Sequence, residues 1–271
     1  LFACSEPDSQ SQAHQTSAAN ASYSIASPDG NNVIQFALSN GKPQYEVSHS
    51  DQRIISPSAM GFVFKGDSDG FGPMDVTGTS EISLDQTWQQ VWGEKQDIRN
   101  HFNGMSVDLQ ETTGQKRKLS VEFRAFNDGI AFRYLYPQQG EGELVIMDEL
   151  TEFNLTNDGT AWWIGAYQDN RYEYITTESA LSTLDKVHTP LTIKTDKGLH
   201  LSFHEARLVD FASMTLARQE GTAFKADLVP WADGDRVKTD GSFTTPWRTL
   251  QIAENAGDLI TSYLILNLND P

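Results

Sequence analysis

Leu119-Ser120-Val121-Glu122-Phe123-Arg124-Ala125-Phe126-Asn127-Asp128-Gly129-Ile130-Ala131-Phe132-Arg133-Tyr134-Leu135-Tyr136 is the stretch on which the reading of the fold turns. From Leu119 to Arg124 apolar side chains take every second place, the period of a strand with one buried face. Asn127-Asp128-Gly129 supplies residues that tolerate positive φ, and the alternation resumes at Ile130. This is a β-hairpin with one face turned to a core.

The same pattern recurs on both sides of it. Phe36-Ala37-Leu38 and Tyr45-Glu46-Val47 flank Asn40-Gly41 and give a second hairpin. Further strands are predicted over 60–64, 105–111, 143–147, 189–194, 199–204, 222–228 and 259–268. Asp69-Gly70, Asn157-Asp158-Gly159, Lys197-Gly198 and Asp233-Gly234 separate many of them. No helical periodicity persists over ten residues, and 176–187 is the best short helical candidate. The fold class is therefore all-β: a large antiparallel two-sheet sandwich with few short helices.

Composition narrows the function classes. The chain has 271 residues, 20 Lys+Arg against 37 Asp+Glu, a net charge of −17 and one cysteine. A single cysteine excludes a disulfide framework and any Cys-built zinc or iron–sulfur site within the chain. The deficit of basic residues argues against nucleic acid as a partner. It leaves carboxylates for a hard cation. No apolar run approaches the ~18 residues of a membrane span.

Leu1-Phe2-Ala3-Cys4 has the form of the end of a bacterial lipoprotein signal peptide, with Cys4 as the lipidated residue. The alternative is a free thiol in a frayed end. Residues 5–22 are rich in Ser, Gln, Ala and Asn, so 1–22 is expected to be an anchor and disordered tether. Residues 23–271 are then one sandwich domain, in the periplasm or cell envelope of a Gram-negative bacterium and touching the membrane only through Cys4. Tyr263-Leu264-Ile265-Leu266-Asn267-Leu268-Asn269 reads as a last strand, with Asp270-Pro271 as its breaker and a plausible domain boundary.

Three segments carry candidate chemistry. Residues 85–104 mix Trp92, Glu94, Arg99 and Asn100 without clean alternation. An aromatic face beside amides and a carboxylate suits sugar recognition. The plainer reading is an ordered loop in which Trp92 plugs the sandwich edge and Glu94 pairs with Arg99. Residues 161–174 hold Trp162, Trp163, Tyr167, Tyr172 and Tyr174. Adjacent tryptophans in an extended backbone face opposite ways, so one of Trp162 and Trp163 is core and the other a possible sugar platform. In 199–216, Leu199, Leu201 and Phe203 alternate with His200, Ser202 and His204, and Glu205 closes the run. A carboxylate at a strand end suits a metal or substrate role. Against it stand a Glu205–Arg207 ion pair and histidines with satisfied hydrogen bonds. One glutamate supplies only one or two of the six to eight oxygens that Ca²⁺ takes. No carboxylate pair stands out for glycoside hydrolysis, and G-x-S-x-G, H-E-x-x-H and phosphate-loop patterns are missing.

Ser27-Pro28-Asp29-Gly30, Trp92-Gly93-Glu94 with Arg99-Asn100-His101, and Phe123 through Tyr134 together carry a resemblance. Thr151-Glu152-Phe153 with Trp162-Trp163, His188-Thr189-Pro190-Leu191-Thr192, His204-Glu205-Ala206-Arg207-Leu208 and Thr245-Pro246-Trp247-Arg248 continue it in order. Over residues 23–271 the sequence resembles the N-terminal domain of glycoside hydrolase family 97, the α-glucosidase and α-galactosidase family of Bacteroidota. The resemblance implies a β-super-sandwich of galactose mutarotase-like type that packs on a (β/α)8 catalytic barrel lying beyond this sequence. It implies that Glu205 is lent to an active-site Ca²⁺ completed by that barrel, acting on an α-linked oligosaccharide. Trp92, Glu94, Arg99, Asn100 and Trp163 are the substrate-binding candidates, no catalytic residue is expected here, and this piece alone is expected to be inactive. The alternative function is a stand-alone carbohydrate-binding or structural sandwich. A mutarotase-type epimerase would need an acid–base pair such as His204 or His101 with Glu94 or Glu205.

Overall fold

Both predicted hairpins form in the register their alternation sets. The computed structural model describes residues 21–67, 69–169 and 173–269. Cys4, nearly all of the 1–22 tether, Tyr172 and the Asp270-Pro271 breaker lie outside the described residues. Lys118–Phe126 pairs with Gly129–Tyr136, from Ser120 opposite Leu135 to Phe126 opposite Gly129. Leu119, Val121, Phe123, Ala125, Ile130, Phe132, Tyr134 and Tyr136 are all buried, while Glu122, Arg124 and Arg133 project from the other face. The second hairpin, Asn32–Ser39 with Lys42–His49, turns at Asn40 and Gly41, both at positive φ.

These hairpins seed opposite layers. Lys118–Phe126 and Gly129–Tyr136 belong to a ten-stranded antiparallel sheet, and Asn32–Ser39 and Lys42–His49 to an eight-stranded one. Aromatic contacts cross the interior between the layers: Phe36 to Phe123 at 5.9 Å, Tyr45 to Phe132 at 4.7 Å and Phe153 to Phe203 at 5.4 Å. A third sheet of three strands, which the alternation did not foretell, closes one side. Its Phe62 meets Tyr134 and Phe243 edge-on at 4.8 and 5.2 Å.

Three expectations about elements are corrected. Residues 259–268 are not a strand; the helices Ala256–Thr261 and Leu264–Asn267 occupy that stretch. Leu264 and Leu268 sit one helical turn apart and bury together against Phe102, Phe126 and Trp247, while Leu266 faces solvent. The 176–187 stretch is a strand, Thr177–Ala180, one 3-10 turn and a short strand, Lys186–His188. Residues 97–104 are not loop but the first half of the strand Asp97–Glu111, paired with a sixteen-residue edge strand, Met74–Gln89. That edge strand is exposed almost throughout, so it has no buried face to imprint an alternation on the sequence.

One ion pair ties the start of this edge hairpin to the three-stranded sheet. Arg117 donates Nε and Nη2 to the Glu111 carboxylate at 2.9 and 2.8 Å, Glu111 also accepts the Gly72 N–H at 2.7 Å, and Arg117 lies over Phe64 and Phe71. Burial opposes ionisation of Glu111, but Arg117 and the two backbone N–H groups win and hold it below its ordinary pKa. A depressed folded pKa contributes stability above the ordinary glutamate range, lost as pH falls through the folded value. Glu111→Gln is expected to cost about 2–4 kcal/mol at pH 7. The gap to the native chain should close below about pH 4 in urea unfolding, and a pH-independent gap contradicts the assignment.

Candidate functional site

The strand His200–Ala206 carries the candidate site, and its alternation places the Glu205 carboxylate on the core face. Glu205 is in phase with Leu201 and Phe203, so it points between the sheets and not outward with His200, Ser202 and His204. It is 9% exposed. The cross-strand neighbour is Arg248 of Trp247–Ala253, which is fully buried. Arg248 donates Nε and Nη2 to Glu149 at 2.9 and 2.5 Å, and Nη1 to Glu205 Oε2 at 2.7 Å. Glu205 Oε1 accepts the Met214 N–H at 3.0 Å, and the Phe211 ring lies 5.9 Å from the Arg248 guanidinium.

Two carboxylates thus share one guanidinium: Glu149 takes the bidentate Nε/Nη2 edge and Glu205 a single Nη1 donor. Burial pushes Glu205 above its ordinary pKa; Arg248 and the Met214 N–H offset this only in part, and Glu149 adds to it. Burial alone would push Arg248 down, but its two carboxylates hold it above its usual value. Glu205 pairs with Arg248, and the expected alternative with Arg207 is not adopted. Arg207 instead turns the chain at φ 57° and gives its N–H to Asn269 Oδ1 at 2.8 Å.

The loops around this end are apolar and open. Leu208 and Val209 are exposed, as are Trp231 and Tyr167. A groove of ≈390 Å³ runs between Phe211, Ser213, Trp231, Arg236 and Lys238. Glu205 offers a carboxylate that already accepts two hydrogen bonds, and among the described residues no group of three or more His, Cys, Asp or Glu could hold a metal. Ca²⁺ takes six to eight oxygens, so the described residues do not by themselves form a cation site.

The other candidates do not line one cleft with Glu205. Trp92 stands at the tip between Met74–Gln89 and Asp97–Glu111, 87% exposed, so it plugs no edge; Glu94 beside it is also exposed. Arg99 pairs with Asp85 across the hairpin at 2.7 Å and not with Glu94. Asn100 is buried with Oδ1 unpartnered. Trp163 packs on the main core with Nε1 donating to Ser179 Oγ at 3.0 Å, whereas Trp162, on the other face, donates to Glu178 at 3.1 Å. The opposite facing of the two tryptophans follows from the extended backbone: Trp163 is half-buried against the core, and Trp162, on the other face, is half-buried as well.

What the structure does join is the hairpin and the loop after Glu205. Asn267 Oδ1 accepts Trp88 Nε1 at 2.9 Å, its Nδ2 donates to the Arg99 carbonyl at 2.9 Å, and Asn269 holds the Arg207 N–H. Reading by segment missed Arg248 and Glu149. A signal was present: in Trp247-Arg248-Thr249-Leu250-Gln251-Ile252 the arginine is in phase with Leu250 and Ile252, and a buried arginine requires a carboxylate.

Comparison with known proteins is consistent with this geometry. A glycoside hydrolase family 97 enzyme from Pseudoalteromonas sp. strain K8, solved as a variant in complex with panose, superposes with a TM-score of 0.89 at 42% identity. The match covers 92% of this chain and 38% of that one. The same enzyme in complex with acarbose gives the same TM-score and identity. A retaining α-galactosidase of Bacteroides thetaiotaomicron is 26% identical over 73% of this chain and 31% of its own length. A probable retaining α-galactosidase of Streptomyces bingchenggensis is 24% identical over 84% of this chain and 34% of its own. The chain spans about a third of the curated relatives it matches. Residues 25–271 match the family described as "Glycosyl-hydrolase 97 N-terminal", and the chain belongs to that family.

Proposed function

We propose that this chain is the N-terminal module of an exo-acting α-glycosidase, and that the end bearing Glu205 abuts a catalytic portion supplying the acid and base. The observation that carries the reading is the 92% coverage of this chain at TM-score 0.89 by an enzyme of which it spans only 38%. The panose and acarbose complexes of that enzyme, at the highest of these identities, favour an α-linked glucose oligosaccharide as substrate over a galactoside. In this reading Glu205 is one ligand of a Ca²⁺ whose other ligands belong to the catalytic portion. The sharing of one guanidinium by two carboxylates supports it, because a cation beside Glu205 would balance the second carboxylate. Cys4 is proposed as a lipid anchor that holds the enzyme at the cell envelope.

The test starts from the whole reading frame. Its product should hydrolyse panose in the presence of Ca²⁺, while residues 1–271 alone should not. Glu205→Ala should weaken Ca²⁺ dependence of activity at least tenfold, with calorimetry on the same variant reporting the lost affinity. Unchanged Ca²⁺ affinity removes Glu205 from the site. Trp92→Ala should leave stability within about 0.5 kcal/mol, since an exposed tip side chain has little packing to lose. The second reading, a stand-alone carbohydrate-binding module, is favoured by the exposure of Trp92. It requires panose binding by residues 1–271 alone that Trp92→Ala abolishes.

A further inference from the structure

Arg124 is a half-buried arginine without a counter-ion. It projects from the outward face of the ten-stranded sheet, opposite Gly104 on one side and Ala131 on the other, so neither neighbour crowds it. Its guanidinium stacks 4.5 Å from the Phe102 ring and 4.5 Å from the Trp247 ring. Arg133 lies 4.4 Å from the same Trp247 ring but is paired with Glu122 at 2.7 Å. Arg117 and Arg248 likewise have carboxylates. Among the described residues the Arg124 side chain makes no hydrogen bond and no ion pair. Burial and the charge of Arg133 push it down to about 10 against the pull of Glu122.

A guanidinium whose faces rest on rings keeps its N–H edge for a planar acceptor, and a carboxylate fits that fork with two parallel bonds. Space for one exists: a groove of ≈230 Å³, opened by the missing side chain at Gly104, lies between Ser80, Ile82, Ser106, Glu122 and Arg124. Glu122 gives one oxygen to Arg133 and makes no ion pair with Arg124. The last described helix ends on this face, with Leu264 and Leu268 against Phe102 and Trp247. A segment that follows residue 271, as in the longer relatives, would therefore emerge beside Arg124.

We propose that Arg124 is a docking socket for a carboxylate side chain on the catalytic portion that follows this module; the occupant rests on the function proposed above, the socket does not. The carboxylate would close the fork of Arg124 and lock the face that carries Phe102, Trp247 and the chain exit against the next domain.

Two measurements test it. Residues 1–271 are titrated with N-acetyl-glutamate amide while the Arg124 Nε–H and Trp247 Nε1–H resonances are followed by NMR. Saturable shifts are expected, and Arg124→Gln should weaken the Trp247 response at least tenfold. An equal response in Arg124→Gln, or an equal response to chloride, overturns the socket. In the product of the whole reading frame, limited proteolysis just past residue 271 should be at least tenfold faster for Arg124→Gln, with Arg124→Lys between it and the native rate. Matching urea midpoints of the variants within residues 1–271 keep a folding defect out of the comparison. Equal cleavage rates overturn the occupant. A reading frame without a catalytic portion overturns both the occupant and the proposed function, and leaves the glutamate titration to decide the socket.

Discussion

Arg248→Met is expected to lower the stability of this chain by about 3–5 kcal/mol, because it strands two buried carboxylates at once. Glu149 is fully buried and Glu205 nearly so, and Arg248 supplies three of the hydrogen bonds that keep them charged inside the sandwich. The methionine fills much of the volume, so a lost contact area cannot produce a penalty of this size. The control is the triple variant Arg248→Met, Glu149→Gln, Glu205→Gln, which removes both charges along with their partner. It should recover more than half of the loss in urea unfolding, since an ion cluster replaced as a unit is often near neutral. A single variant that costs under 1 kcal/mol, or a triple that costs as much as the single, would show that the cluster is not what holds this end together.

Gly129→Ala is expected to cost at least about 3 kcal/mol, the sum of an unfavourable φ and an overlap that no side-chain rotation relieves. Gly129 has φ +149°, and a Cβ there would stand 2.3 Å from the Leu250 carbonyl oxygen and 2.8 Å from the Gln251 Cα. Both are backbone atoms of the neighbouring strand. To accept the methyl group, the hairpin that opens the sheet must part from Trp247–Ala253, the strand that holds Arg248. Gly114 at φ +65° has open space around its Cβ position, so Gly114→Ala should cost only about 1 kcal/mol. Urea midpoints of the two variants separate the close approach from the turn conformation. Equal costs would mean that the contact with Leu250 is relieved and the argument from it fails.

The two expectations explain what was legible and what was not. Strands with one buried face announced themselves: the run Leu119 to Tyr136 gave its hairpin, its turn and its core residues without a structure. Met74–Gln89 did not, because an edge strand wet on both faces leaves no periodic mark. The helices over 256–267 were misread for a related reason. A short apolar run fits strand and helix periods alike, and only the surface of Phe102, Phe126 and Trp247 decided between them. At the candidate site, the place of Glu205 near a strand end was legible, and its partners were not. Arg248 lies 43 residues from Glu205 and 99 from Glu149.

By itself, then, the sequence determined the all-β class, the hairpins, the excess of acid and, through an ordered set of short runs, the family to which residues 25–271 belong. These are properties of local alternation, turn chemistry and composition, each written within a few neighbouring residues. The tertiary structure alone decided which charges are paired. Pairing requires two strands distant in sequence to meet in a defined register, and a shift of one residue turns every side chain to the other face. That register put Glu205 inward on Arg248, laid Trp163 half-buried against the core, left Trp92 in solvent, and left Arg124 stacked between two rings without a carboxylate.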